Sequence, residues 1–407
     1  MIKVKFKKQK LFLRVIELGI IILILLLLSG CWDRRELENL AIVSGLGIDD
    51  PEQGEGYQLS FQIVKPAEVR APGSSSGESG SGSSGSSGSK TVWLLRSKGT
   101  TVFDAIRNAH FQSNRRIFLS HNQVVIIGKK VAEEGILPVV DVLIRDPEPR
   151  LQQWLLIAQQ QAGEILKLQA GVEKISANAI AELMENYYLT SKIKATNLHD
   201  FADGLVKKST SNTLPIIGIK EENGEKSFIL EETGILKEDR LVGYLDKKET
   251  RGLLWVLGKV KSGIIVVDLP DNKGKVSLEI MNAKSKVIPE VEDGKIKIKV
   301  EITEEANLGG ETSFEDFSSP EALSRLEKLQ AKVIEEEIKA ALNKAKTYQL
   351  DIFGFGESIH RKDHKLWNAI EENWGEIFSQ MEVEMKVKAV IRRMGLITKP
   401  TIISQNK

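Results

Sequence analysis

Apolar residues recur along the chain in two rhythms, and the shifts between them outline the elements. Near the start an apolar run, Leu18 to Leu28, follows a basic head of Lys3, Lys5, Lys7, Lys8, Lys10 and Arg14. The run is eleven residues, where a membrane-spanning helix needs roughly 20. Ala41 to Ile48 reads as a strand, closed by the turn signal Asp49-Asp50-Pro51. Tyr57, Leu59, Phe61 and Ile63 then alternate with Gln58, Ser60 and Gln62, which predicts a strand with one buried face, paired with the first. A short strand is expected at Val92–Leu95. Thr101 and Asp104 have capping-box spacing, and Val102, Phe103, Ile106 and Ala109 then follow helical spacing. Gln123–Ile127 and Trp154–Ala158 are apolar strands, and Pro138 opens a helix reaching Ile144. Ser176 and Thr196 are candidate N-caps of two helices; the first carries Ile180, Leu183, Met184 and Tyr187 on one face, and the second turns Leu198, Phe201, Leu205 and Val206 inward.

A polar segment, 207–213, marks a boundary. Short strands are expected within 227–243, a helix over Glu249–Leu257 and a strand over Gly263–Leu269. Val276, Leu278 and Ile280 alternate with polar residues, as do Ile296, Ile298, Val300 and Ile302, so these strands have one wet face, which favours an antiparallel sheet. Ser319 and Pro320 begin a long helix at about 320–346, with Leu326, Leu329, Val333, Ile334, Ile338 and Leu342 in its core stripe. A second helical region covers roughly 351–378, and Val383 to Ile391 is the last strand. The fold class is α/β (α+β): multi-domain, with mixed and antiparallel sheets packed with helices. The divisions are residues 1–30 as a signal segment, 31–212 as an N-terminal α/β region and 213–400 as a C-terminal α/β region.

Composition changes this picture in two places. Residues 73–89 comprise ten serines, six glycines and one glutamate, too little apolar surface to pack, so they form a disordered loop. About 40 residues of mature chain precede the tract, too few for an independent domain, so the loop lies inside the N-terminal region. Cys31 is the one cysteine of the 407 residues, which excludes an internal disulfide. The order of basic head, short apolar run, Ser29, Gly30 and Cys31 is that of a secretory signal. Leu28-Ser29-Gly30-Cys31 resembles the bacterial lipobox, in which the thiol receives a diacylglycerol group and becomes the mature N-terminus. Without the six basic residues and Glu17 of the first 30, the 57 basic and 56 acidic side chains become 51 and 55, so the mature chain is slightly acidic and calls for no nucleic acid.

Candidate chemistry is sparse. His360 and His364 have the i, i+4 spacing of a metal pair, but Arg361 stands where the zinc-protease pattern needs glutamate, and Lys362 and Lys365 add repulsion. Gly45-Leu46-Gly47 and Phe353-Gly354-Phe355-Gly356 are incomplete as phosphate loops and read as strand or turn glycines. The acidic run Glu335–Glu337 falls on the long helix, where carboxylates are ordinarily solvated. GxSxG occurs only as Gly73–Gly77 inside the serine/glycine tract, where no strand-to-helix nucleophile elbow is expected. The sequence therefore assigns no catalytic, metal or cofactor residue and points away from an enzyme.

Several stretches together resemble the Ger(x)C family, the lipoprotein C subunits of bacterial spore germinant receptors: CWDRRELENLAIVSGLGID from Cys31, LSHNQVVIIG from Leu119, RDPEPR from Arg145, ETRGLLWVLGKVKSGII from Glu249, DIFGFGESIHRK from Asp351 and IRRMGL from Ile391. The resemblance implies three α/β domains in the family's own fold and lipidation at Cys31. It also implies residence on the outer surface of the spore's inner membrane, and action with integral membrane A and B subunits. An extracytoplasmic solute-binding lipoprotein that hands a nutrient to a membrane partner is the alternative; it predicts two lobes around a polar cleft.

Overall fold

The computed structural model describes residues 39–65, 91–169, 173–207, 209–272, 274–292, 295–313 and 315–393, with Arg14, Ile16 and residues 18–20 near the start. Contacts divide the chain into two units, Met1–Ala41 and Ile42–Lys407. In the first, Arg14, Ile16 and residues 18–20 are helical. Among the described residues no helix is long and apolar enough to cross a membrane. The rest concerns the second unit, whose described residues form two sheets with helices packed against them.

The first sheet comprises β1 (Leu40–Asp49), β2 (Tyr57–Val64), β3 (Val92–Gly99), β4 (Arg116–Phe118), β5 (Val124–Ile127), β6 (Trp154–Ala158), β7 (Thr213–Glu222), β8 (Glu225–Lys237) and β9 (Arg240–Leu245), in the order β3-β2-β1-β5-β6-β7-β8-β9 with β4 on β1. Its centre, β1-β5-β6-β7, is parallel, and both flanks are antiparallel hairpins. Parallel neighbours need crossovers. These are supplied by α1 (Val102–Asn108), α2 (Lys129–Glu134), α3 (Leu137–Arg145), α4 (Ala162–Lys167), α5 (Ser176–Glu185) and α6 (Leu198–Val206). The helices explain why Val124 to Ile127 and Leu155 to Ala158 are all fully buried: both faces of these strands are covered.

Strand β1 carries no side chain at Gly45 and Gly47 because helices lie directly on it. A Cβ on Gly45 would come within 2.8 Å of the Leu166 side chain and 2.9 Å of Ala177, and one on Gly47 within 3.2 Å of Ala162. The same helices correct the expectation for β2. Ser60 and Gln62 are buried, not wet. Gln62 Nε2 donates to the Leu166 carbonyl (2.7 Å), and its Oε1 accepts from Ala177 N–H (3.0 Å) and Ser44 Oγ (3.2 Å). Buried polar groups persist where such partners exist. β3 pairs antiparallel with β2 from Val64↔Val92 to Tyr57↔Gly99, so the tract 73–89 joins neighbouring strand ends; the tract itself lies outside the described residues.

Three capping expectations are adjusted, each by one residue. Thr101 does cap α1, accepting from Asp104 N–H, but the Asp104 carboxylate returns to Thr100 rather than to Thr101. Ser176 is the first residue of α5, and its hydroxyl serves the Leu166 carbonyl instead of a cap. The N-cap of α6 is Asn197, while Thr196 Oγ1 donates to the Thr213 carbonyl; Val206 ends α6 exposed rather than inward. The first sheet runs across residues 212 and 213, because β7 joins β6 to the β8–β9 hairpin.

The second sheet is β10 (Ile264–Asp268), β11 (Lys275–Glu292), β12 (Lys295–Glu311) and β13 (Glu382–Arg393) in that order. β10, β11 and β12 are antiparallel, and β13 lies parallel to β12, which makes this sheet mixed as well. It packs with α7 (Lys247–Val256), α8 (Pro320–Tyr348), α9 (Phe355–Lys362), α10 (His364–Ile370) and α11 (Trp374–Gln380) around one apolar core. Asp246 and Glu249 form a reciprocal capping box on α7. Ser319 Oγ accepts from Ala322 N–H to cap α8 (3.2 Å), with Pro320 in its first turn, and Leu326, Ile334, Ile338 and Leu342 are buried along its length.

Candidate functional site

Cys31, the expected site of lipid attachment, lies outside the described residues. The histidine pair falls not on one helix but at a break between two: His360 is in α9, Asp363 caps α10, and His364 begins it. His360 Nε2 and His364 Nδ1 are 2.8 Å apart, so one ring donates to the other, and His360 lies 6.0 Å from the Trp367 ring.

Asp351 organises the turn that sequence inspection read only as glycines. Its Oδ1 accepts N–H from Phe353 (3.0 Å) and Gly354 (2.9 Å), and its Oδ2 accepts from Gly356 (2.8 Å) and the Trp374 indole (3.3 Å). Gly354 has φ +75°, where L side chains are strained. A Cβ on Gly356 would sit 2.8 Å from Trp367 and 2.9 Å from Ser209. Burial raises the Asp351 carboxyl to about 6, against the backbone N–H groups of Gly356, Phe355, Phe353 and Gly354, which favour its charged form. An aspartate followed by two glycines at alternate positions is the signal that marks such a turn.

The polar segment 207–213 packs against this turn. Ser211 N–H donates to the Asp351 carbonyl (2.8 Å), and Leu236 N–H to the Asn212 carbonyl (2.9 Å). Between the segment, the β8–β9 turn and α11 lies an open cleft of about 640 Å³, lined among others by Thr210, Asn212, Lys237, Asp239, Asp351 and Trp374. Its lining carries hydroxyls, amides and carboxylates but no histidine or cysteine.

Two buried polar clusters hold the second sheet. Glu337 is not solvated with its acidic neighbours but 3% exposed. It accepts from Arg251 through both carboxylate oxygens and from the Trp255 indole at 2.8 Å. Its position three residues after Ile334 puts it on the inward stripe of α8. Glu304, fully buried on β12, accepts from Gln330 Nε2 at 2.6 Å. Burial, with Glu305 adding repulsion, raises its carboxyl from 4.5 to about 8. Between those values the folded protein holds a proton that the unfolded chain releases, so stability falls as pH rises from about 4.5 to about 8. Glu304→Gln should flatten that decline, whose limiting slope is about 1.4 kcal/mol per pH unit. Parallel denaturation curves for parent and variant at pH 5 and 9 would contradict the assignment.

The N-terminal part, residues 33–219, matches the family model described as "Spore germination protein N-terminal domain", and residues 231–395 match "Spore germination B3/ GerAC like, C-terminal". Similar curated proteins include spore germination protein KC of Bacillus subtilis, 29% identical over 94% of this chain and 96% of the relative. Spore germination protein B3 of the same organism is 26% identical over 94% and 99%. The crystal structure of the GerBC protein superposes with a TM-score of 0.51 at 21% identity, covering 85% of this chain and 96% of that one, a likeness of fold.

Proposed function

Because this chain belongs to the Ger(x)C family of spore germination proteins, we propose that it is the lipid-anchored C subunit of a germinant receptor and works by contact with integral membrane A and B subunits. The observation that carries this reading is the order of the two family matches, which together run from residue 33 to residue 395. Relatives named for spore germination align over nearly their whole lengths and support the same role. On this reading residues 1–30 are the signal peptide and Cys31 is the site of lipid attachment. The body then resides on the outer face of the cytoplasmic membrane, which is the inner membrane of the spore. Regions 31–212 and 213–400 form the contact body, and its chemistry is recognition rather than turnover.

Co-purification tests the assignment. The lipidated chain, extracted from spore membranes in mild detergent, should bring down two integral membrane proteins in constant ratio. Recovery of the chain alone, with those proteins present in the same extract, would contradict it.

A further inference from the structure

A second pocket, of about 390 Å³, lies where the strap 190–197 meets the loop 257–262, and three of its lining residues are lysines: Lys194, Lys259 and Lys261. Its walls are fixed. The strap is pinned to β6 and its approach by Leu155 N–H to the Thr196 carbonyl (3.0 Å) and Leu198 N–H to the Gln153 carbonyl (3.0 Å). The loop is held by Ser191 Oγ, which accepts N–H from Lys261 (3.0 Å) and Ser262 (3.3 Å). Ser191 is fully buried and has φ +48°, a backbone state that a serine keeps only when its surroundings enforce it.

Lys194 is half-buried, and its Nζ donates to the neutral Thr196 Oγ1 at 3.0 Å. An ammonium has three donors, and no carboxylate pairs with it among the described residues. Burial, with Lys259 adding repulsion and Asp200 opposing, lowers its pKa to about 7. Lys259 and Lys261 are exposed and also lack a carboxylate partner there. The groups facing Lys194 are thus Lys259 and Lys261 from the loop, Asp200 from α6, and Tyr187 and Trp154 from the remaining walls. Three cations against one carboxylate, in a concave site with two aromatic walls, leave a charge imbalance that a bound anion would relieve.

We propose that this pocket binds a small anion bearing a carboxylate or a phosphate-like group, held by Lys194, Lys259 and Lys261. The inference goes beyond the receptor-subunit reading and does not depend on it. Ligation keeps Lys194 protonated, so binding takes up a proton when the pH is at or above the pKa of the free lysine.

Calorimetric titration of the full chain in detergent tests this, at constant ionic strength, with sulfate and succinate as probes, because both stay dianionic between about pH 7.5 and 8.5. Saturable binding to either probe is expected, weaker at the higher pH, with proton uptake seen as a dependence on buffer ionisation enthalpy. Lys194→Met should weaken it about tenfold or more. The double variant Lys259→Gln/Lys261→Gln, confined to exposed positions, should do the same without risk to the fold. Absence of saturable binding to both probes, binding without proton uptake, or unchanged affinity in the loop double variant would overturn the proposal.

Discussion

Glu337→Ala is expected to destabilise the folded body by about 3–5 kcal/mol, the cost of stranding a buried charge. In the parent, the Arg251 and Glu337 side chains are 6% and 5% exposed. Arg251 Nε donates to Glu337 Oε2 at 2.8 Å, its Nη2 donates to Oε1, and its Nη1 donates to the Ile264 carbonyl at 2.8 Å. The pair therefore ties α7 to α8 and to the start of β10. Truncation leaves the guanidinium in a low-dielectric interior with only that carbonyl, and leaves the Trp255 indole N–H with no acceptor. Cavity formation adds to the loss, because the backbones cannot easily close in. Gly252 on α7 already abuts the Glu337 carbonyl, and a Cβ there would meet it at 2.0 Å. Urea midpoints at unchanged m-value measure the effect. The double variant Arg251→Met/Glu337→Leu is the informative partner. It removes both charges, so most of the loss should be recovered, apart from the cost of the unpaired indole and the Ile264 carbonyl. An alanine variant with the parent's midpoint would mean that water reaches the pair and screens it.

The same residue shows where sequence reading stops. Periodicity located β6 at Trp154–Ala158 and placed the start of α8 at Ser319-Pro320, because apolar spacing and capping chemistry are local. Glu337 stands inside the run Glu335–Glu337, and only the tertiary partner Arg251 distinguishes it from its solvated neighbours. Its spacing from Gln330 and Ile334, along the buried stripe, was the available hint. Gln62 misled in the same way: alternation with Phe61 and Ile63 is the pattern of a wet face, yet the backbone groups that satisfy it come from Leu166 and Ala177, about a hundred residues away. β7 has no clear signal in the sequence, because Pro215 interrupts its apolar run and the polar segment before it suggests a linker. The lysine pocket has none for a related reason, since Lys194 and Lys259 come together only through the folded strap and loop. On the proposed reading the reverse holds for the anchor: Leu28-Ser29-Gly30-Cys31 would carry its meaning in residue order alone.

Cys31→Ala is expected to have the largest functional effect of any single substitution. On the proposed reading the thiol at Cys31 carries the lipid that holds the body at the membrane. Two or three acyl chains, at about 0.8 kcal/mol per buried CH₂, suffice for stable residence, whereas one chain is marginal. Confinement raises the effective concentration of the body near membrane partners, so contacts too weak to form from solution become occupied. On this reading the acyl chains lie in the bilayer, so the variant body should remain folded and detectable while the spores respond weakly to the cognate nutrient and normally through other receptors. Alanine at position 31 also removes the residue on which signal cleavage depends, and an uncleaved Leu18–Leu28 run would retain some protein at the membrane. Two measurements therefore go together. Mass spectrometry of the parent's mature N-terminus should find a diacylglycerol-modified cysteine as residue one; an unmodified cysteine there would remove the basis of the prediction. Germination kinetics of the variant should then be compared with the fraction of variant protein in the membrane pellet. A normal response with none of the variant sedimenting would mean that confinement is not how this subunit acts, and that its contacts are strong enough to assemble without an anchor.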